Sequence, residues 1–396
     1  MLASACLLAF ILKPNSSNAI LSSSHLQTNS DSLQYFALRY EELRNRRDSV
    51  LDLISEFQPE LKENNKKIAA QKKRQEDLKV NRAWIFKNST HKAKTQADKK
   101  DIIRYDSLIA SSEAATKRME SRNEFLNYNL LALVEKDSII SKYFVTFHKD
   151  LLRYTSKIHG SRVVRFQDVT YHLFVVDLDS DDVRMHLFNA EDQNKNFSSI
   201  ENVKKHLAKK KLQPLMITNG GMYLSNLQPE GLYVENQSTT FFPLNIQGAR
   251  PDANFYLMPN GVFYLDANNK PHITTTENMM SYNVNDLRKF KAATQSGPML
   301  VIDGDIHPAF MPNSKNSKVR SGVGIPLGQS RKIVFAITTD GTNFYDFALF
   351  FRDLFHCDQA LYLDGVVSQM YLADLAPEVL GGNFGAMISV VKKNSK

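Results

Sequence analysis

Two long stretches of the chain place apolar residues at alternating intervals of three and four. Leu33, Phe36, Tyr40, Leu43, Val50, Ile54, Phe57, Leu61, Ile68, Leu78 and Ile85 fall on one ladder, broken by polar residues at Arg47, Asn64, Gln71, Gln75 and Arg82. Ile102, Tyr105, Ile109, Met119, Leu126, Leu130, Leu133, Ile140, Phe144, Phe147 and Leu151 form a second ladder. Sustained three-four spacing is the coiled-coil pattern. Each run is roughly 75–80 Å long at 1.5 Å per residue. The interval Lys87 to Lys100 has no apolar periodicity. The spacing predicts an antiparallel helical hairpin, a coiled-coil arm over residues 31–155, with Pro59 kinking or dividing its first helix.

Beyond residue 160 the period changes. Tyr171 to Leu178 and Val183 to Asn189 are strand-like runs on either side of the acidic turn Asp179 to Asp182, and they read as an opening hairpin. Ser198 to Lys211 has helical spacing and a Ser198/Glu201 capping box. Further strands are expected at Pro214 to Thr218, Gly231 to Glu235, Phe255 to Met258, Gly261 to Leu265, Ala293 to Ile302 and Lys332 to Thr338. Helices are expected at Glu277 to Arg288 and Thr342 to His356. Within Ala293 to Ile302, the polar Gln295-Ser296 and the Gly297-Pro298 pair suggest a bulge that turns Gln295 and Ser296 toward a site. Many strands and few helices give an α+β domain over 165–396 with a mixed or antiparallel sheet, the mixed form being the expectation adopted.

Charge separates the two regions. The net charge of +8 belongs to the N-terminal third: residues 31–160 hold 26 Lys+Arg and 19 Asp+Glu, whereas residues 161–396 hold 23 of each. The C-terminal domain therefore has no general attraction for nucleic acid, and none is expected as a partner. Residues 62–100, toward the hairpin tip, hold 13 Lys+Arg against four acids. Such a run serves either as a solvated helix face or as a dock for an anionic polymer, and Trp84, the single tryptophan, is a candidate anchor there. The polar ladder positions near the tip suggest weak pairing or a binding role, and the coiled-coil pattern also allows self-association.

Leu2 to Leu12 is an apolar run too short to span a bilayer, followed by Lys13-Pro14 and the small-x-small sequence Ser17-Asn18-Ala19. Residues 1–19 read as a signal peptide without its basic start, which predicts export to the periplasm or cell envelope. Cys6 stands in a poor lipoprotein context, so no lipid anchor is expected. With Cys357 as the other cysteine, no structural disulfide is expected either.

Candidate chemistry gathers at ALYLDGVVSQ, Ala360 to Gln369, a buried-strand pattern that delivers Asp364-Gly365 at its C-terminal lip, with Ser368 following. Taken alone, Asp-Gly after a strand is also an ordinary turn. Asn219-Gly220-Gly221 follows another short apolar strand, where glycines permit a left-handed turn or a close approach to ligand. Asp303, Asp305 and His307 form a D-x-D-x-H pattern, read as a hairpin turn in preference to a metal corner. No G-x-G-x-x-G, Walker A or H-E-x-x-H pattern occurs, and no metal or other cofactor is expected.

TNGGMY (Thr218 to Tyr223), GLYVEN (Gly231 to Asn236), NFYLMPNGVFYLD (Asn254 to Asp266), ATQSGPMLVIDG (Ala293 to Gly304) with HPAF (His307 to Phe310), RSGVGI (Arg320 to Ile325) and ALYLDG (Ala360 to Gly365) occur in this order. Together they resemble the phosphodiester glycosidase domain family, in particular its exported bacterial branch. The resemblance covers roughly Tyr171 to Val391 and leaves out the helical arm. It implies a hydrolase that breaks a sugar C1–O bond with a phosphodiester as leaving group. A glycan or sugar-phosphate is then the substrate class, and a non-catalytic glycan-binding protein of the same fold is the alternative. In this resemblance Asp364 is the carboxylate at the sugar carbon, Arg320 the cation for phosphate and Asn219 a hydrogen-bonding partner. Gly220, Gly221, Gln295, Ser296, Gly365 and Ser368 are substrate-binding candidates. One departure stands out. In the lysosomal branch of the family Asp-Gly leads into further glycines and serines, whereas Val366-Val367 follow here. β-Branched residues resist positive φ, so the turn does not use a glycine-dependent conformation at those positions.

Overall fold

The computed structural model describes residues 29–88, 96–179, 183–192, 195–235, 240–248, 250, 253–375 and 380–392. The expected leader, residues 1–19, lies outside them. Among the described residues no helix is long and apolar enough to cross a membrane. Two compact units appear: Glu42–Phe147 form one, and residues 29–41 with 148–392 form the other.

Both long helices predicted from the ladders are present, α1 at Asn29–Asn88 and α2 at Gln96–Thr155. In the first unit Val50, Leu53 and Phe57 of α1 bury against Leu126, Leu133 and Ile140 of α2. Toward higher numbers on α1 the seam becomes polar yet remains paired. Asn123 Nδ2 donates to Asn65 Oδ1 at 2.7 Å, Ser112 Oγ to Gln71 Oε1 at 2.9 Å, and Gln75 Nε2 to Thr116 Oγ1 at 2.8 Å. The polar ladder positions Gln71 and Gln75 are thus bonded across the seam to α2. Cross-helix ion pairs Arg47–Asp137, Arg122–Glu60, Lys79–Glu113 and Arg82–Asp106 flank it and fix the antiparallel sense. Pro59 neither ends nor divides α1. Phe57 and Leu61 pack into the apolar seam on either side of it, and that burial offsets the lost helical hydrogen bond.

In the second unit, β1 (Gly160–Phe166) and β2 (Val169–Asp177) form the opening hairpin, followed by β3 (Val183–Phe188), β4 (Ala190–Asp192) and β5 (Lys195–Asn196). The expected hairpin of residues 171–178 with 183–189 is not formed. β2 pairs with β1 and with the later strand Lys332–Thr338, whereas β3 pairs with Met387–Lys392 in another sheet. Alternating burial marks a strand without naming its neighbour. Then come α3 (Ile200–Lys209), β6 (Gln213–Asn219), β7 (Tyr233–Val234), β8 (Phe241–Phe242), β9 (Gly261–Leu265) and β10 (Pro271–Thr275). α3 is capped by Ser199, not Ser198. Residues Asn254–Tyr256 form a 3-10 turn where a strand was expected. The single helix expected at 277–288 is two short ones, α4 (Thr276–Met279) and α5 (Val284–Leu287), capped by Thr275 and Asn283. β11 (Ala292–Ser296), β12 (Met299–Ile302), β13 (Asp305–Ile306), β14 (Ser321–Pro326) and β15 (Lys332–Thr338) follow. The chain closes with α6 (Phe344–Leu349), a π-helical turn at Phe350–Leu354, β16 (Cys357–Asp364), β17 (Met370–Leu372) and β18 (Met387–Lys392).

The strands make a seven-stranded sheet (β1-β2-β15-β14-β16-β12-β13), a five-stranded sheet (β10-β9-β11-β7-β8), a four-stranded sheet (β17-β6-β18-β3) and the β4-β5 pair. The α+β class is as predicted, but every described strand pairing in these sheets is antiparallel, which corrects the mixed sheet. One core joins the three large sheets, with Phe335, Leu361 and Leu363 meeting Met216, Ile388 and Val390 and also Phe263, Leu265 and Ile273. The Gly297-Pro298 step is no bulge: β11 ends before it in the five-stranded sheet, and β12 begins after it in the seven-stranded sheet. That crossing places Ser296 beside β16. On the other face of the large sheet, Tyr171 stacks on Phe350 at 4.0 Å, and Phe351 covers Gly324.

A Cβ at Gly324 would stand 2.6 Å from Phe351 Cδ1 and 2.7 Å from Cys357 Sγ. Gly324→Ala should therefore destabilise the domain by about 1–3 kcal/mol, read as a lowered denaturant midpoint with an unchanged slope.

Candidate active site

Three strand ends meet at one rim. β6 ends on Asn219, β14 begins on Ser321 and β16 ends on Asp364, with Ser321 and Asp364 in register as neighbours. Their side chains form a continuous polar path. Asn219 Nδ2 donates to Ser321 Oγ at 2.9 Å, and the hydroxyls of Ser321 and Ser368 lie 2.8 Å apart. The Gln369 amide donates to Asn219 Oδ1 at 3.3 Å, so the turn after Asp364 is fastened to the end of β6. The four-stranded and seven-stranded sheets are therefore joined at the rim by buried hydrogen bonds.

Asp364 stands at the centre of this arrangement. One carboxylate oxygen accepts the Gly365 amide at 2.7 Å. The residue is partly exposed, but its carboxyl is largely stripped of water, and this desolvation pushes its pKa up to about 6, with the Gly365 bond acting in the opposite direction. Tyr223 lies close enough for burial and the Asp364 charge to push its phenol up to about 12, and its hydroxyl donates to Asn383 O at 2.6 Å.

The predicted site residues divide into two groups. Asn219, Asp364, Gly365 and Ser368 come together at the rim. Gly220 and Gly221 adjoin them, held by Thr294, whose hydroxyl donates to Gly220 O. Gly221 has φ +128°, and a Cβ there would meet Thr294 Oγ1 at 2.7 Å. The Gly220 amide is given to Ala386 O at 2.7 Å. Gly365 is required for another reason: a Cβ would lie 2.6 Å from the Tyr362 hydroxyl. Val366 and Val367 take no positive φ, in line with the sequence expectation, and both are exposed.

The remaining candidates lie beneath the rim. Ser296 Oγ donates to Leu363 O at 2.9 Å and so supports the strand end from below. Gln295 is spent in holding loops. Its Oε1 accepts the amides of Leu232 and Asn245, each at 2.9 Å, and its Nε2 donates to Asn245 O and Thr276 Oγ1. That network secures the wall of a cavity of about 330 Å³ lined by Pro229–Gly231 and Phe242–Gln247, and Pro229 is bridged to Tyr223. Arg320, expected at a phosphate, is 1% exposed. Its guanidinium donates to Thr342 O and Asn316 O at 2.8 Å each, lies 3.7 Å over the Phe344 ring and meets the Tyr362 hydroxyl at 3.5 Å. Burial lowers its pKa, and no ion pair to a carboxylate is formed among the described residues. In this structure the guanidinium stands behind Tyr362. Asp303 and Gly304 make the β12-β13 hairpin turn, with φ of +50° and +83°, and no group of three His, Cys, Asp or Glu converges among the described residues.

Ser321, Tyr223 and Tyr362 were not singled out as site residues. Each lies inside a motif already noted (RSGVGI, TNGGMY and ALYLDG), and Tyr362 shares a strand face with Asp364 two residues on.

The domain thus brings a desolvated carboxyl and a hydroxyl–amide path to the converging strand ends of two antiparallel sheets. The family model described as phosphodiester glycosidase matches residues 213–390. An uncharacterised protein of Escherichia coli (strain K12), YigE, is 38% identical over 181 residues, covering 46% of this chain and 67% of that protein. Among solved structures, the catalytic domain of zebrafish N-acetylglucosamine-1-phosphodiester alpha-N-acetylglucosaminidase, auto-inhibited by its pro-peptide, aligns with a TM-score of 0.40 at 12% identity, over 58% of this chain and 81% of that one. The chain belongs to the phosphodiester glycosidase family.

Desolvation that raises a carboxyl pKa favours the protonated form in the folded state. Asp364 therefore costs stability as pH rises through the window from about 4 to about 6. Asp364→Asn should stabilise the protein by about 2–3 kcal/mol at pH 8 and by nothing below pH 4, read from thermal melts at the two pH values.

Proposed function

We propose that the domain hydrolyses the glycosidic bond of a sugar-1-phosphodiester in an envelope or extracellular glycan, with Asp364 as the reacting carboxylate. The observation that carries this reading is the desolvated Asp364 carboxyl at the junction of strand ends, its pKa about 6, next to the Asn219–Ser321–Ser368 path. A phosphodiester departs as a weak base, so the reaction needs little general-acid assistance. What it needs is negative charge facing the developing oxocarbenium carbon, or a base for water. Above pH 6 Asp364 is ionised and supplies either. Ser368 orients sugar or phosphate oxygens, and the buried Asn219 and Ser321 hold it in place. Gln295, Ser296 and Arg320 are positioning residues that hold the rim. Family membership supports the reaction class, and the apolar N-terminal run supports export.

The test is a panel of sugar-1-phosphodiesters with release of free sugar as readout. Turnover should fall with pH below about 6 and drop about 10³-fold or more in Asp364→Asn. Retention of sugar phosphodiesters with no turnover by the wild-type protein would replace the enzyme reading with a glycan-binding one. Fractionation of cells tests location separately, and a wholly cytosolic pool would remove the envelope assignment.

A further inference from the structure

Lysines near the end of the helical hairpin surround apolar side chains that face away from the seam. Trp84 is 67% exposed, Phe86 59% and Ile103 69%. At this level the ladder residues Leu78, Ile85, Ile102 and Tyr105 are partly buried, whereas Trp84 and Ile103 are exposed. Val80 stands four residues before Trp84 and extends its apolar face along α1. Lys87, Lys99, Lys100 and Arg104 are exposed, and none has an ion-pair partner among the described residues. Asp101 is an exposed acid in the same collar. By contrast, Lys79 and Arg82, farther from the end of α1, are neutralised by Glu113 and Asp106.

The chemistry of the exposed residues selects the partner. Trp84 lies four residues from the end of α1 and Ile103 seven residues from the start of α2. Tryptophan settles at that boundary, and lysines adjoining it meet anionic headgroups. A soluble anionic polymer would satisfy the lysines but leave the indole, the phenyl ring and the isoleucine in water. We infer that the hairpin end is a docking surface for an anionic lipid bilayer, which Trp84, Phe86 and Ile103 enter within a collar formed by Lys87, Lys99, Lys100 and Arg104. This inference is independent of the chemistry at Asp364.

Trp84 is the only tryptophan in the chain, so the emission of the unmodified protein reports on this surface alone. Full-length protein is titrated with phosphatidylglycerol–phosphatidylcholine vesicles, with pure phosphatidylcholine vesicles and with dextran sulfate. The expected result is a blue shift with the anionic vesicles only, quenching by brominated acyl chains, and release at high salt. Lys87→Glu with Lys99→Glu should weaken vesicle co-sedimentation by about tenfold or more. Trp84→Ala should weaken it too, and circular dichroism confirms that both variants keep their helices. No shift with anionic vesicles overturns the inference. So does an equal shift with dextran sulfate without bromolipid quenching, which would assign the surface to soluble polyanions.

Discussion

Every polar group buried where the three sheets meet must find a partner, because an unpaired one costs about as much as the hydrogen bond it forgoes. Around the rim a few residues answer this demand by each serving several segments. Asn219 joins β6, Ser321 and the turn at Gln369. Gln295 uses its whole amide to connect Leu232, Asn245 and Thr276. Arg320 binds two carbonyls and lies against an aromatic ring. Asp364 is treated differently: one backbone amide faces its carboxylate, and the raised pKa records a desolvation that this single bond does not offset. The fold thus keeps Asn219, Gln295 and Arg320 hydrogen-bonded and leaves the carboxylate under-solvated, which is the state in which a carboxylate has most to gain from an approaching positive centre.

The glycines at the rim follow from the same crowding. Gly365 leaves room for the Tyr362 hydroxyl, and Gly221 leaves room for Thr294 Oγ1 while taking a φ that favours glycine. Tyr362 in turn bears on Arg320. A side chain at either glycine would push on a hydroxyl that is already committed, so the geometry around Asp364 depends on two absent Cβ atoms as well as on the polar residues that are present.

The helical arm was legible because a three-four ladder has one economical solution, and the α+β class because the period changes at residue 160. Individual strands were mostly placed, since β-branched and aromatic runs mark them. Their partners were not, because alternation fixes a face and says nothing of the neighbour; hence β2 and β3 read as a hairpin although they lie in different sheets. Gln295-Ser296-Gly297-Pro298 looked like a bulge because a chain passing between sheets leaves the same composition as one that kinks within a sheet. At the site, residue type was readable and direction was not. Asp364, Asn219 and Ser368 converge, whereas Gln295 and Arg320, equally polar and equally close in sequence to the motifs, turn away to hold loops. Ser321 was overlooked beside a more conspicuous arginine.

Electrostatically, the two regions work in opposite regimes. Residues 161–396 carry equal numbers of acids and bases, 23 each, and the candidate site relies on one carboxyl shielded from water. Mobile salt ions screen such a group poorly, since they do not enter the desolvated space. The arm carries the excess of basic residues, and those near its end stand in solvent, where a Debye length of about 8 Å at physiological salt sets the reach of their field. Chemistry at the rim should therefore be governed by pH through the local cost of ionising Asp364, and association through the arm by ionic strength and by the apolar area of Trp84 and its neighbours. The basic pI of about 9.2 describes the arm and not the domain that belongs to the family.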